Sequence, residues 1–422
     1  MDDKLTAFIL EHEQDDTARL LLGRSRWPEI DMDLAVHTIE GRRRIRNKVP
    51  AWYPAVSLRY PTRLCTEQCS SAATARCKAA LAARILAPCH PERSEGSPRI
   101  ADLTGGLGVD AWAFAGLGAE VLHNEMDPVL SAAVRHNFQV LGLQHVVFRN
   151  ACTQPGAVAG ILDGFAPDLI FLDPARRASD GRKVFRLEDC QPDILRLLPE
   201  LMEAAPHLLL KISPMADISL IVKQLQEAVP ERSGLVREVR TIGADGECKE
   251  LLIWLDREWT GPHPLSVTFC DTGADAMPEL SFAADAEKSA VPVLARPEEA
   301  KPGALLFEPG KALAKTGLFN ALSARFGLPK LSRHTHLYLL PEDQEEALAS
   351  FGKIYRIRDV HELSGRTLKT LGKAWPQADV TARDIPMTSN ELRKRLGTRS
   401  GGSVHLFGCR IGADPVLLVT QR

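Results

Sequence analysis

From Arg99 to Trp259 the sequence alternates between short apolar runs and longer segments that suit amphipathic helices. The apolar runs are IADL, AEVLHN, HVVF, DLIFLD, HLLLKI and LLIWL, and helix-compatible segments such as DPVLSAAVRHNFQVLG separate them. Strands that alternate with helices form right-handed β-α-β units, which build a mostly parallel sheet covered by helices on both faces. The pattern therefore predicts an α/β domain over residues 99–260, since Thr-Gly-Pro-His-Pro breaks the alternation after Trp259.

The segments on either side of this domain have a different character. Residues 1–88 carry apolar residues at three-to-four spacing, which predicts a helical N-terminal region. The polar stretch CHPERSEGSP has loop composition, so residues 89–98 are predicted to be a linker or an insertion. Beyond the α/β domain, strand-like and helix-like segments predict two small α+β domains, over residues 261–360 and 361–422.

Composition and charge limit the classes of protein to which the chain can belong. Hydrophobic residues make up 45% and charged residues 25% of the 422 positions, which is typical of a folded globular protein. The formal charge of -2 argues against coating nucleic acid by bulk electrostatics but leaves room for a local basic face. The start lacks a signal-peptide pattern, and no apolar run approaches the roughly 20 residues that span a bilayer. We therefore expect a cytoplasmic protein without membrane contact, whose scattered cysteines are reduced.

Cysteine and histidine spacings do not support a metal site. The cysteines that precede His90 include no C-x2-C pair, the spacing on which zinc sites of this kind depend. His334 and His336 would project to one side of a strand, but no third ligand stands nearby in the sequence. We therefore expect no metal.

The strongest chemical signal is a glycine-rich turn in the first β-α unit, within DLTGGLGVD. A predicted strand ends at Asp102, the turn contains Gly105, Gly106 and Gly108, and a helix follows. Glycines let the backbone turn tightly and approach a ligand closely, and free N–H groups at the helix start favour polar ligand groups. The next predicted strand ends at Glu125, whose carboxylate can accept hydrogen bonds from both hydroxyls of a ribose.

Two cofactors fit this arrangement. The run from Gly106 to Ala111 satisfies the G-x-G-x-x-G/A pattern of dinucleotide sites, which would make the chain an NAD-dependent oxidoreductase. Asp102, however, stands directly before the glycines, where its carboxylate would repel a pyrophosphate. S-adenosylmethionine has no phosphate and carries an amino group and a sulfonium, so a carboxylate at this position favours methyl transfer.

A second signal lies at the end of the fourth predicted strand, in PDLIFLDPARR. Asp173 and Pro174 follow this strand, so they open on the same edge of the sheet as the glycine turn, where open α/β sheets bind their ligands. A carboxylate and a neighbouring carbonyl there can orient an amino group that accepts a methyl group. Arg176 and Arg177 follow directly and are candidates for contacts with substrate phosphates.

Together these segments resemble class I S-adenosylmethionine-dependent methyltransferases. More narrowly, the sequence resembles a bacterial group in which a Rossmann-like methyltransferase domain is followed by a ferredoxin-like domain and a THUMP-like domain. That group has a DLTGG-LG-VD turn, a DP-RR strand end and a K-SPM-D segment, the last matched here from Lys211 to Asp217. Landmarks at residues 46–52, 305–317 and 383–402 extend the resemblance over nearly the whole chain.

The resemblance implies a cofactor and a set of site residues. S-adenosylmethionine would be held by residues of the glycine turn and of the ends of the next two strands, namely Asp102, Thr104, Gly105, Gly106, Gly108, Glu125 and Asn150. Asp173 and Pro174 would orient the nucleophile. The substrate would contact Arg176, Arg177, Lys211 and Ser213.

The resemblance also implies an RNA substrate. By this resemblance, residues 261–360 would form the ferredoxin-like domain and residues 361–422 the THUMP-like domain. Because THUMP domains accompany RNA-modifying enzymes, the target would be a base nitrogen in ribosomal or transfer RNA. Basic clusters at residues 42–48 and 393–399 are candidate phosphate contacts, although solvated helix faces are a commoner explanation for such clusters.

Three departures from the methyltransferase pattern bear on chemistry. Thr104 stands where the usual turn has glycine, and no acidic residue follows the third strand, which leaves Asn150 as the candidate for an adenine contact. No aromatic residue follows Asp173 and Pro174, which disfavours adenine-N6 chemistry and leaves guanine or another group open. Two alternatives stay open, an NAD-dependent oxidoreductase and a non-catalytic RNA-binding protein with a vestigial cofactor pocket.

Overall fold

The computed structural model describes residues 2–87, 96–176, 187–231, 234–270 and 277–422. The chain divides into two compact units. The first holds residues 1–244, 249–264 and 270–277, and the second holds residues 245–248, 265–269 and 278–422. The predicted N-terminal helical region and, apart from residues 245–248, the predicted α/β domain therefore fall in the same unit. Most of the predicted linker at residues 89–98 lies outside the described residues.

The N-terminal region is helical, as its apolar spacing predicts. It consists of α1 (Asp2–Glu11), α2 (Thr17–Leu22), α3 (Met32–Lys48), α4 (Arg63–Gln68) and α5 (Ala72–Leu86). Each helix from α2 to α5 begins after an Asp, Thr or Ser whose side chain accepts a hydrogen bond from a backbone N–H of the first turn. Such caps satisfy N–H groups that have no partner within the helix, so they define where each helix starts.

The alternation predicted from Arg99 onward is present in the structure. In chain order the elements are β1 (Arg99–Asp102), α6 (Val109–Ala115), β2 (Glu120–Asn124), α7 (Pro128–Val140), β3 (Val146–Arg149), α8 (Val158–Leu162), β4 (Leu169–Leu172), β5 (Ala175–Arg176), β6 (Cys190–Gln191), α9 (Ile194–Ala204), β7 (His207–Ile212), α10 (Ile218–Ala228), β8 (Val236–Ala244) and β9 (Glu247–Asp256). The short strands β5 and β6 pair with each other outside the main sheet.

Seven of these strands lie side by side in the order β3, β2, β1, β4, β7, β9, β8. The neighbouring pairs from β3 to β7 are parallel, whereas β9 is antiparallel to β7. Dinucleotide-binding sheets have the strand order 3-2-1-4-5-6. Here the additional strand β9 lies between β7, in the fifth position of that order, and β8, in the sixth. Because parallel strands share an edge, the segments after β1, β2 and β4 meet at one place.

The core of this unit joins the N-terminal helices to the sheet. Strand β4 is buried at all four positions, which is expected for a central parallel strand with helices on both faces. Trp52 and Tyr60, from the N-terminal region, belong to the same buried cluster as Phe114 and Phe171. Burying a large apolar side chain contributes about 1.5–3 kcal/mol, so these contacts make the N-terminal region part of the same core.

The elements of the second unit in chain order are β10 (Leu265–Phe269), β11 (Glu279–Phe282), α11 (Ala286–Ser289), β12 (Leu305–Pro309), α12 (Lys311–Lys315), α13 (Phe319–Phe326), β13 (Tyr338–Leu340), α14 (Glu345–Leu348), β14 (Gly352–Glu362), α15 (Gly365–Ala374), β15 (Asp379–Ala382), α16 (Ser389–Leu396), β16 (Val404–Ile411) and β17 (Asp414–Gln421). Six of these strands form a sheet in the order β13, β12, β14, β17, β16, β15. Strands β15 and β16 are parallel, and the pairs formed by β12, β13, β14, β16 and β17 are antiparallel.

Helices α15 and α16 bury their apolar sides in one cluster with residues of β16 and β17. Leu368 and Leu371 of α15 lie in this cluster with Leu392 and Leu396 of α16. Helix α16 begins with a capping box, in which Thr388 and Glu391 bond reciprocally. The charged residues of both helices are consequently left on the side away from the cluster.

The segment KALAKTGLFNALSARFG, residues 311–327, has the composition of one continuous helix but forms two helices in the structure. Helix α12 ends at Lys315, α13 begins at Phe319, and Gly317 between them has a φ of 73°. A glycine in the left-handed region commonly ends a helix, which explains the interruption.

Among the described helices, none combines the length and apolar character that crossing a membrane requires.

Candidate active site

The glycine turn joins β1 to α6, and its glycines meet separate steric needs. Gly106 and Gly108 have φ values of 52° and 82°, in the left-handed region that other residues avoid. Gly105 is required for space, because a Cβ there would lie 2.2 Å from Nε2 of His123. His123 is completely buried beneath the turn, and burial lowers its pKa to about 4. The turn therefore rests on a neutral imidazole.

Asp102, the last residue of β1, is buried beside this turn. Its side chain is 1% exposed, and Oδ1 accepts a hydrogen bond of 3.1 Å from the backbone N–H of Thr104. Burial, and next the negative charge of Asp110, raise the pKa of Asp102 well above its ordinary value. A cationic group placed at Asp102 would reverse this effect by favouring the ionised carboxylate.

Glu125 follows β2 and closes the turn from the other side. Its Oε2 accepts a hydrogen bond of 2.9 Å from the Gly106 N–H, and its Oε1 accepts one of 2.9 Å from the Asp127 N–H. Asn150, the predicted adenine contact, donates from Nδ2 to the carbonyl oxygens of Glu125 at 2.6 Å and Met126 at 3.1 Å. Asn150 thus braces the Glu125 segment and is not among the residues that line the cavity.

Asp173 lies directly after β4 and faces the same place. Its backbone N–H donates to Oγ1 of Thr104 at 2.6 Å, which ties the end of β4 to the glycine turn. Its Oδ2 lies 2.6 Å from Nζ of Lys211, at the C-terminal end of β7. Burial lowers the pKa of Lys211, but the nearby carboxylates, Asp173 first, more than offset this, so its pKa is raised and the ammonium is charged.

The remaining predicted substrate residues are placed differently. Pro174 is buried, and Ser213 Oγ accepts a hydrogen bond of 3.3 Å from the Met215 N–H at a turn. Neither residue lines the cavity. Arg176 belongs to β5 by its backbone, and Arg177 lies outside the described residues.

A cavity of about 470 Å³ joins the glycine turn to the ends of the neighbouring strands. Its acidic lining residues are five carboxylates, namely Asp102, Asp110, Glu125, Asp127 and Asp173. No Lys or Arg belongs to the lining within the described part of the chain. Charges that converge on a partly buried site interact more strongly than charges in open water, so this cavity favours a cationic ligand and disfavours a phosphate.

Part of the cavity wall comes from regions that the sequence did not connect with the site. The N-terminal segment around α4 contributes the side chains of Thr62, Leu64, Cys65, Gln68, Cys69 and Ser70. Cys152 and Thr153, which follow Asn150, line the cavity, as do Gln191 and Pro192. No local pattern in the sequence identifies these residues, because segments that are remote in sequence meet at the glycine turn only in the folded chain.

Within the part of the chain that the structure describes, no group of three or more His, Cys, Asp or Glu side chains is arranged to hold a metal ion. The candidate site consists of a glycine turn, a buried aspartate, a glutamate bonded to the turn and a lysine-paired aspartate around one acidic cavity.

Comparison with known proteins identifies the C-terminal domains. Residues 305–346 match the family model of a ferredoxin-like domain, and residues 352–422 match that of a THUMP domain-like family. The second match begins at residue 352, where the long strand β14 begins. No curated protein matches the sequence.

A solved structure supports the fold over 99% of the chain. The chain is similar to the crystal structure of a "putative methyltransferase" from Porphyromonas gingivalis W83, with 28% identity and a TM-score of 0.80 over 99% of this chain and 97% of that one. It also matches a SAM-dependent methyltransferase from Agrobacterium tumefaciens, with 19% identity and a TM-score of 0.30 over 43% of this chain and 62% of that one. TrmN from Thermus thermophilus matches with 20% identity and a TM-score of 0.28 over 44% of this chain and 52% of that one. The last two likenesses are too remote to add to the assignment.

These matches confirm the predicted fold class and the resemblance. The chain has a Rossmann-like methyltransferase sheet with an N-terminal helical region, followed by ferredoxin-like and THUMP-like domains.

Proposed function

We propose that this chain is an S-adenosylmethionine-dependent methyltransferase that methylates a base nitrogen in RNA. The observation that carries the proposal is the charge of the cavity, which is lined by five carboxylates and, among the described residues, by no Lys or Arg. S-adenosylmethionine carries an ammonium and a sulfonium and has no phosphate. An acidic cavity therefore suits this cofactor, whereas the pyrophosphate of NAD would meet a repulsive field.

The residues present fit the parts of this cofactor. Asp102 and Glu125 line the cavity; Asp102 would accept hydrogen bonds from the ammonium, and Glu125 would accept them from the ribose hydroxyls. The positive φ values of Gly106 and Gly108 bring the backbone of the turn to the cavity wall, where a side chain would take up space. Leu64, Met126 and Leu130 supply an apolar part of the lining that suits an adenine ring.

Bound S-adenosylmethionine supplies a methyl group that is already activated by the sulfonium, so the chain has mainly to position the acceptor. Asp173 lines the cavity and would orient the accepting N–H group through its carboxylate. Lys211, whose Nζ lies 2.6 Å from Oδ2, favours the ionised form of that carboxylate, the form that can take the proton that the methylated nitrogen releases.

The charge of the C-terminal domain supports RNA as the substrate. Residues 352–422 contain 13 Lys and Arg against 6 Asp and Glu, a formal charge of +7, while the rest of the chain carries -9. Exposed cations on and after α15 and α16 are Arg366, Lys369, Lys373, Lys394, Arg395 and Arg399. Clustered cations attract nucleic-acid phosphates. The resemblance to THUMP domains implies the same partner, and an RNA substrate would place the enzyme in the cytoplasm.

Two measurements test this proposal. Calorimetry with S-adenosylhomocysteine and with NADH should show binding of the first only. Transfer of a labelled methyl group to total RNA, purified from cells that lack the gene, should then require Asp173. Loss of a positioned proton acceptor typically costs about 10²–10⁴ in rate, so Asp173→Ala should lose transfer by this factor while its affinity for S-adenosylhomocysteine is unchanged. The matched control is Glu227→Ala, since Glu227 is an exposed carboxylate on α10.

The outcomes separate the three candidate functions. Binding of NADH without S-adenosylhomocysteine would replace the proposal with an oxidoreductase. Binding of S-adenosylhomocysteine without methyl transfer to RNA would overturn RNA as the substrate. Binding of neither ligand would leave a non-catalytic RNA-binding protein.

A further inference from the structure

Five charged side chains from separate parts of the first unit form a continuous chain behind the cavity. Nζ of Lys211 lies 2.6 Å from Oδ2 of Asp173 and 3.9 Å from Oε1 of Glu250. Oε2 of Glu250 lies 2.8 Å from Nζ of Lys78, and this Nζ lies 3.0 Å from Oδ1 of Asp110. The charges alternate in sign along the chain, so each ammonium is shared between two carboxylates.

Both ends of this chain reach the cavity, and its middle is buried. Asp173 and Asp110 line the cavity. The side chains of Lys78 and Glu250 are 0% and 6% exposed, so neither can reach a ligand directly. Two ammonium groups face three carboxylates, and the excess negative charge therefore lies where a cationic cofactor would bind.

Stability by itself does not account for a completely buried lysine. Removing an ion pair from water costs about as much as the pair returns, and apolar residues of similar volume often replace such pairs without loss. Ordering a lysine side chain also costs conformational entropy. A buried pair does fix positions, and Lys78 is held from several directions, since Nζ also donates to Ser70 Oγ at 2.8 Å.

We propose that Lys78 and Glu250 are positioning residues for Asp173. Lys78 fixes the carboxylate of Glu250, Glu250 holds the ammonium of Lys211, and Lys211 fixes Oδ2 of Asp173 so that the carboxylate presents one orientation to the cavity. The inference rests on the proposed function, in which Asp173 contacts the methyl-accepting group. Because Lys78 belongs to α5, the N-terminal helical region then helps to orient a residue of the active site.

The test compares full-length variants that differ in one charge. Glu250→Gln keeps the shape of the side chain and removes the charge that holds Lys211. Lys78→Met leaves the carboxylates of Asp110 and Glu250 without their shared cation and is prone to unfold. The double variant Lys78→Met/Glu250→Gln is therefore measured beside it, because it also removes the charge of Glu250. The control is Lys223→Met, which removes a 70% exposed lysine from α10.

In Glu250→Gln we expect kcat for methyl transfer to total RNA to fall about tenfold, the equivalent of about one pKa unit of lost charge interaction. KM for S-adenosylmethionine and the affinity for S-adenosylhomocysteine should stay at the wild-type values, because Asp102 and Glu125 are unchanged. In crystal structures, Asp173 should lie against Lys211 in the wild type and be displaced from it in the variant. An unchanged kcat in the folded variant would overturn the inference.

Two further outcomes keep this inference distinct from the proposed function. If kcat and the melting temperature fall together while Asp173 keeps its place, the charged chain is a structural tie and the positioning role is wrong. If the wild-type protein methylates no RNA, the proposed function fails, and the displacement of Asp173 in Glu250→Gln then decides the positioning role alone.

Discussion

The cavity at the glycine turn and the C-terminal domain carry charges of opposite sign, and these charges differ in their exposure to solvent. Around the cavity, five carboxylates converge on one enclosed volume, and Asp102 is almost completely buried. On α15 and α16, the cations lie on exposed helix surface. Enclosed charges act at short range with little screening, whereas exposed charges are screened by salt within about 8–10 Å. Single residues should therefore decide binding at the cavity, while the basic surface should act through the number of its charges.

The comparison is tested most severely at Asp102. Asp102→Asn removes a charged partner of the cofactor ammonium, a loss of about 1.5–3 kcal/mol or about 10–150-fold in affinity. Calorimetry with S-adenosylhomocysteine measures it, with the exposed Asp163→Asn as the control. Because burial raises the pKa of Asp102, the wild-type affinity should weaken as pH falls through that raised pKa, and the variant should lack this dependence. Equal affinities for wild type and variant would remove Asp102 from the cofactor site.

The basic surface should respond to a change of several charges. Reversing Arg366, Lys369 and Lys373 of α15 to Glu should weaken RNA binding about 10- to 100-fold near 0.1 M salt and flatten its dependence on salt concentration. The control reverses three exposed lysines elsewhere, Lys223, Lys288 and Lys301. Affinity for S-adenosylhomocysteine should be unchanged in both variants. RNA binding that is equally weakened by the control would mean that total charge, rather than this surface, attracts RNA.

A smaller effect is expected from Lys211, which does not line the cavity but pairs with the lining residue Asp173. Burial raises the pKa of Asp173, and the charge of Lys211 opposes that rise. In Lys211→Met the pKa of Asp173 should rise further, so the acid limb of the kcat profile should move to higher pH by about one unit. Rates from pH 5 to 9 measure the shift. An acid limb at the wild-type position would show that Asp173 does not need to be ionised.

Much of the candidate site was predictable, because its signals are local. The turn from Asp102 to Gly108 and the strand end at Asp173 stand in short segments whose residue types follow from backbone conformation and from the parallel sheet. Asn150 shows the limit of this reasoning. Its position after β3 predicted an adenine contact, yet its amide is used by the carbonyl groups of Glu125 and Met126, and its neighbours Cys152 and Thr153 line the cavity.

Other parts of the site had no signal in the sequence. Lys78 and Glu250 are 172 positions apart, and neither stands in a recognisable motif. The wall formed by the segment around α4 depends on how the N-terminal helices pack on the sheet, which helical periodicity does not specify. Long-range pairing of charges is a property of packed elements, so a pattern of a few residues does not contain it.

The sequence by itself determined the alternation of strands and helices, the place of the glycine turn and the presence of carboxylates at the ends of three strands. These follow from local conformational preferences and from the shared edge of parallel strands. Only the tertiary structure decided that five carboxylates line one cavity, that the segment around α4 forms one of its walls and that a series of buried ion pairs ends at Asp173. Those features depend on distances between residues remote in sequence, and the net charge of each surface appears only once the chain has folded.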